Sequence, residues 1–448
     1  MIGLCCLVLG IVGSDVVYSQ EAWSPDATRD PTSVHYRVPR ATWIEQNKLW
    51  YWDPTDNVVD AIFPVGYYVN VDNDLYAAID KLSDGGFNAI HIKPQYHLGA
   101  EITSEELGKI YDWADVNDVD VFAFNDMMTP DYRDVWQQRL RETARYPALV
   151  CNVYGDDVHG KTSAATWQGK NDIDQADAEG NWEFGGPFRG PIRATAKSMV
   201  NYKPDLDPIG RGDFPSYLRD YDGTILQTYP YYWRNVETNF WDIDWMTYYS
   251  DLQPNQWPLA AVQTFTWEVD SAPRFAGKGG WPSTKDVEVG SYLNLAAGAK
   301  GLLFYKFDVS EIPPMAYQAD NFIDDDGDQP YQGIYQTTRR IARTVKAMER
   351  ALLFGSRSAE RSSDRFFQAH FDYGKQKYVI IVNARDVGLR LNDKKGTSVR
   401  VPAARSITPV GDSPVRNLSL KRDKNFPAGN RFSGWLPAKG VAVYRVDY

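Results

Sequence analysis

Between residues 61 and 308 the chain repeats one pattern eight times: a short, mostly apolar run, then a longer stretch of polar or helical texture. The runs fall at 61–69, 87–93, 120–127, 148–154, 197–202, 223–231, 259–268 and 300–308. Near-continuous apolar runs of this length, spaced by helical segments, are strands buried on both faces, the mark of repeated β-α units and a parallel sheet. Eight units predict a closed (β/α)8 TIM barrel, because at that count every strand finds two partners and no edge is left. Helices are predicted over 73–82, 104–117, 131–145 and 287–297, with a basic amphipathic one over 331–353 to finish the barrel. The Ser104, Glu105, Glu106 sequence marks the start of the second. The Gly-, Asp- and Asn-rich stretch 160–191 is expected to be a long loop walling an active site.

Two flanking regions read differently. Residues 20–60 are polar and spotted with Trp, with little periodicity, and are expected to wrap the outside of the barrel. From residue 356 to 448 short runs alternate at period two between Asp, Gly and Asn signals, which predicts a small antiparallel β-sandwich packed on the barrel. The predicted domains are therefore 20–355 and 356–448. The apolar run at 1–13 is too short to span a membrane comfortably, and small Ser19 suits a cleavage site. Residues 1–19 are expected to be a signal peptide, making the protein secreted or periplasmic, without stable membrane insertion once it is removed. An uncleaved N-terminal anchor is the alternative, since no basic residue precedes the run. Cys5 and Cys6 lie in that segment, so Cys151 alone would remain, a small buried hydrophobe in mid-strand.

Composition narrows the partners. A net charge of −11 argues against nucleic acid, whose phosphates demand a basic surface. The 15 Trp, 28 Tyr and 19 Phe supply rings for a core and also for stacking on the apolar faces of sugars. In parallel barrels the reactive groups stand at the C-terminal strand ends. Read along the eight runs, those ends offer Tyr67, then His91 and Lys93, then Asn125 and Asp126, then Asp156 and Asp157. Further on come Gln227 and Tyr229 with the nearby Trp233, then Gln263, Trp267 and Glu268, and finally Lys306 and Asp308. Carboxylates on the fourth and seventh ends would face each other across the mouth. Acetal hydrolysis needs such a pair, one carboxyl protonating the leaving oxygen while the other attacks the oxocarbenium-like centre. Both faces of a barrel strand are buried, so alternation leaves the choice between Asp156 and Asp157 open. His91 and His97 with Asp126 are an alternative metal set, and Lys93 and Lys306 could meet sugar hydroxyls or a uronate. The string at 324–328, D-D-D-G-D, has calcium-like spacing but lacks the turn Gly and the twelfth-position Glu of an EF-hand, so it reads as a solvated acidic loop.

The run Y-P-A-L-V-C-N-V-Y-G-D-D-V ending at Val158 resembles the fourth-strand segment of the retaining barrel glycoside hydrolases of clan A, which ends in Asp-Glu-Pro or Asn-Glu-Pro. F-P-V-G-Y-Y and D-G-G-F-N-A-I look like their first and second strand entries. L-Q-T-Y-P-Y, V-Q-T-F and Y-L-N-L-A-A-G-A-K-G-L-L-F-Y look like their sixth to eighth units, so the resemblance spans about 61 to 308. It implies a glycoside hydrolase acting on a poly- or oligosaccharide without a cofactor, with Asp157 in place of the acid/base Glu and Glu268 as nucleophile. Asp157 departs from the pattern by one C–C bond, a large displacement for a positioned proton donor. A catalytically degenerate glycan-binding barrel and a metal-dependent barrel hydrolase or lyase are the competing readings.

Overall fold

The computed structural model describes residues 40–53, 57–69, 71, 73–125, 133–154, 163–183, 193–200, 221–228, 256–264, 282–307, 330–362, 365–391, 398–422 and 429–448. All belong to one compact unit, Val38–Tyr448. Strands β1 (Ala41–Glu45), β2 (Lys48–Asp53) and β3 (Val58–Ile62) make an antiparallel sheet. The barrel follows with β4 (Val65–Val69) and β5 (Ala89–Ile92), and a hairpin of β6 (Tyr96–His97) and β7 (Ala100–Glu101) comes next. It continues through β8 (Asp120–Asn125), β9 (Leu149–Tyr154), β10 (Ala194–Val200), β11 (Gly223–Thr228), β12 (Trp257–Gln263) and β13 (Leu302–Phe307). These eight strands are parallel and closed, β13 pairing back onto β4. The described helices are α1 (Leu75–Gly85), α2 (Ser104–Val116), α3 (Arg133–Thr143), α4 (Ser163–Glu183), α5 (Thr284–Ala297) and α6 (Pro330–Phe354).

Local chemistry fixes the helix ends. The Asp74 side chain accepts from the Tyr76 and Ala77 N–H groups at the start of α1, and Gly86, at φ +82°, takes the left-handed turn that ends it. Thr103, one residue before the predicted start, caps α2 in a reciprocal box with Glu106. Ser283 and Asp286 repeat the device on α5.

Alternate barrel residues fall into two separate clusters, because successive side chains of a strand point to opposite faces. One phase, including Val65, Tyr67, Ile90, Val121, Val262 and Phe304, packs with Ile79, Leu82, Ile110 and Val345 of the helices. The other, including Tyr68, Ala89, Phe122, Cys151, Val153, Ile225, Trp257, Leu259 and Leu303, fills the barrel interior. Leu49 and Ile62 join this second cluster. The β1–β3 region is thus a sheet seated on the N-terminal end of the barrel, not an irregular outer wrap, and Thr42 ties it there by donating to the Val150 carbonyl at 2.7 Å.

The expected loop at 160–191 is corrected too, since most of it is α4. Its inner face carries Asp172, Ile173, Ala176, Asp177 and Gly180, a helical spacing written mostly in carboxylates and small residues. Asp177 is buried because Arg193 is: the guanidinium donates to Asp177 Oδ1 at 2.7 Å, to the Leu149 carbonyl at 2.6 Å and to the Tyr146 carbonyl at 3.0 Å, and also to the Ala144 carbonyl. A fully hydrogen-bonded buried pair of this kind locks α4, β9 and the head of β10 together. Gly180 lets α4 approach α3, since a Cβ there would lie 2.3 Å from the Arg141 carbonyl oxygen.

Beyond α6 run β14 (Ser356–Ser362), β15 (Phe366–Tyr373), β16 (Gln376–Asn383), β17 (Leu389–Leu391), β18 (Arg400–Pro402), β19 (Ser406–Pro409), β20 (Ser419–Arg422), β21 (Gly429–Leu436) and β22 (Gly440–Asp447). They form a five-stranded sheet, β14-β15-β16-β22-β19, facing a second sheet built around β21. Phe366, Val379, Ile381 and Val446 fill the space between the sheets. Phe367, Ala369, Ile380 and Val443, on the other face, join the helix-layer cluster, so the five-stranded sheet is buried on both sides. This is why α5 is buried nearly all round.

Two measurements test these contacts. Gly180→Ala should destabilise the fold by about 1–3 kcal/mol through the backbone clash, although helix propensity alone would favour Ala by about 1 kcal/mol; urea titration of both proteins reads the sign. Asp120, at the N-terminal end of β8, is pushed up from 3.8 to about 7 by burial, against the pull of Arg40, with Asp115 and Asp118 adding to the rise. The folded state therefore holds this proton more tightly than the unfolded one, and the stability it brings below about pH 4 is lost as the pH rises through 7. The wild type should lose on the order of a few kcal/mol relative to Asp120→Asn between pH 4 and 8, measured as the difference in unfolding free energy.

Candidate active site

The strands carry their inward phase to the C-terminal end of the barrel and set a floor there. It consists of Tyr68 from β4, His91 from β5, Phe124 from β8, Val153 from β9, Gln227 from β11, Gln263 from β12 and Tyr305 from β13. Tyr68 is its hub: its ring lies 3.9 Å from that of His91 and meets Tyr305 edge-on at 5.3 Å. Phe124 extends the surface, 5.8 Å from His91. Lys93, exposed just past β5, places Nζ 5.3 Å from the centre of the Phe124 ring. Burial, with the Lys93 charge adding to it, pushes the His91 imidazole down to about 3, so it is neutral. Its Nε2 is buried and has no hydrogen-bond partner among the described residues. Among the described residues no floor side chain is charged, and Lys93 stands at its edge.

The candidates named from sequence separate by position. His91, Gln227 and Gln263 are on the floor and Lys93 is beside it. Tyr67 is not: its ring sits among Phe87, Phe304 and Phe307 in the outer layer, and its hydroxyl lies 2.6 Å from Thr338 Oγ1 on α6. Strand phase gives the mouth to Tyr68 instead. Asn125 follows the outward phase of Ala123, and its Nδ2 donates to the Asn152 Oδ1 at 3.4 Å. His97 caps a helix, its Nδ1 accepting from the Leu75 N–H at 3.1 Å, and so serves α1. Asp126, Asp156, Asp157, Tyr229, Trp233, Trp267, Glu268 and Asp308, the stretch 324–328 and the side chain of Lys306 lie outside the described residues. Sequence reading missed Tyr68, Phe124 and Tyr305, because in a strand buried on both faces no alternation distinguishes mouth from helix layer.

An uncharged floor of rings and amides at the C-terminal end of a parallel barrel can stack on a sugar ring and hydrogen-bond its hydroxyls. No family model and no curated protein matches the sequence. Solved structures match over most of the chain. An α-amylase from Geobacillus thermoleovorans, complexed with acarbose, superimposes with a TM-score of 0.55 at 12% identity, over 86% of this chain and 98% of that one. A family 5 glycoside hydrolase from Bacteroides vulgatus gives 0.54 at 10% identity, over 91% and 93%. An α-amylase from H. orenii gives 0.55 at 9% identity, over 86% and 99%. The chain therefore has the (β/α)8 barrel with C-terminal β-domain that these glycoside hydrolases share.

The division of labour between neighbours on β4 is testable. Thr338 Oγ1 donates to the Tyr335 carbonyl, so the Tyr67 hydroxyl is the donor in their pair. Tyr67→Phe should cost about 1 kcal/mol of stability and leave glycan affinity unchanged, as read by denaturation and calorimetric titration.

Proposed function

We propose that the protein is a secreted glycoside hydrolase that cleaves glycosidic bonds of a poly- or oligosaccharide by retaining double displacement, with Asp157 as general acid/base and Glu268 as nucleophile. The observation that carries this reading is the uncharged aromatic and amide floor at the mouth of a barrel whose fourth and seventh strands lead, in sequence, to carboxylates. The named activities of the structural neighbours point the same way. Cys151 and Val153 are inward residues of β9, and the run leads on in sequence to Asp156 and Asp157, of which the clan A resemblance assigns Asp157 as the acid. Glu268 is the first carboxylate after Gln263.

In this mechanism Asp157 gives its proton to the leaving oxygen as a Glu268 oxygen attacks the anomeric carbon, breaking the glycosidic bond and forming a glycosyl ester. Water then attacks the same carbon, Asp157 takes its proton, and the ester bond breaks to release Glu268 as a carboxylate. No cofactor enters either step. His91, Gln227 and Gln263 from the floor and Lys93 beside it are assigned to sugar contacts, and so, from their places in the sequence, are Asp126, Asp156, Tyr229, Trp233, Trp267, Lys306 and Asp308. Residues 1–19 are assigned to export.

Asp157→Asn and Glu268→Gln should each lower kcat by about a thousandfold or more, and chelators should leave the wild type unaffected. Turnover lost to a chelator would replace this mechanism with a metal-dependent one. Glycan affinity without turnover in the wild type would make the protein a binding barrel.

A further inference from the structure

We infer that the part of the mouth over β5 and β8 takes an acidic sugar, a glycan residue whose anionic substituent pairs with Lys93 while one of its hydroxyls donates to Nε2 of His91. The inference rests on the glycoside hydrolase reading and names its substrate class. Lys93 is the first support. It directly follows β5, is exposed, and takes part in no ion pair among the described residues, although the chain as a whole carries a charge of −11. The face of Phe124 holds the ammonium by its negative quadrupole without neutralising it. The other described floor side chains, among them Tyr68, Gln227, Gln263 and Tyr305, offer no opposite charge. A cation with no ion-pair partner among the described residues, set beside buried uncharged side chains, attracts an anion more strongly than one on an open surface, since low-dielectric surroundings weaken screening.

His91 is the second, independent support. Its Nε2 is buried, with no hydrogen-bond partner among the described residues. An orphaned buried polar atom costs about 1–3 kcal/mol unless something completes it. Burial, with the Lys93 charge adding to it, disfavours protonation of the ring, so the imidazole keeps a lone pair, and the fitting complement is a donor such as a sugar hydroxyl. The two groups read together ask for one ligand that carries an anion and a hydroxyl a short distance apart. A uronate ring has both, its carboxylate on C5 and a hydroxyl on C4 when that oxygen is free, and so does a sugar sulfate ester. A neutral hexose satisfies His91 alone.

The test is calorimetric titration of the full chain with oligomers of galacturonate, glucuronate and mannuronate, with their methyl esters, with a sulfated galacto-oligosaccharide and with maltotriose. The expected result is that at least one acidic oligomer binds about tenfold or more tighter than its neutral counterpart, the worth of one charge-assisted hydrogen bond. That preference should vanish in Lys93→Gln, persist in Lys93→Arg and shrink as salt is added. Whether the uronate or the sulfate carries the preference identifies the anion. The inference is overturned if no acidic oligomer outbinds its neutral counterpart, or if Lys93→Gln leaves the preference intact. Neutral oligosaccharides cleaved in an Asp157- and Glu268-dependent way, with no acidic preference, would sink this inference and leave the hydrolase standing. No binding or cleavage of any oligosaccharide would overturn both.

Discussion

Phe122 stacks on Trp257 through the middle of the barrel, their rings 5.7 Å apart and 28° from parallel. The two residues come from β8 and β12, which stand four places apart in a ring of eight and so face each other across its full width. One ring pair therefore spans the interior near the N-terminal end, with Leu49 and Ile62 of the first sheet packed into the same cluster. A parallel barrel is stable only if its inside is filled to the density of its outside. At the other end the inward phase finishes on Tyr68, His91 and the two glutamines.

Burial on both faces also decides how polar groups are used. Arg193 and Asp177 enter the layer between barrel and helices as a pair, with backbone carbonyls taking the remaining guanidinium protons. Asp120 is less well served, sharing Arg40 with Asp53 and Asp115, and so holds its proton nearly to neutrality. Both lie away from the mouth. A polar group in the body of the barrel either finds partners in the fold or shifts its protonation until it needs fewer. His91 does the second, and its Nε2, which has no hydrogen-bond partner among the described residues, belongs to the floor.

The barrel was legible because each strand is a compact apolar run and each gap is long enough for a crossover; all eight runs overlap an observed strand. The sandwich was legible from its period-two alternation. What the sequence concealed had a common cause. In α4 the buried face is written in Asp, Ala and Gly, since its partners are a guanidinium and the backbone of α3, and a hydropathy pattern does not register either. In β4 the adjacent Tyr67 and Tyr68 are chemically identical, and only the closed ring shows that one meets Thr338 and the other His91. In the first sheet, the Trp and Tyr of β2 follow an alternation too short to separate from irregular chain. Position along a strand was readable; phase was not.

That distinction bears on how far a likeness at 9–12% identity reaches. Packing tolerates extensive exchange as long as volume and patterning survive, so the ring of strands persists when nearly every residue has changed. The floor is more exacting, because a single side chain per strand reaches it, and a single substitution there changes what the mouth can bind. In this chain the second strand delivers an imidazole kept neutral by burial and by the lysine two residues on. The groups presented at this end of the barrel are thus set by the last inward residue of each strand and the residue just past the strand, and at β5 those are His91 and Lys93.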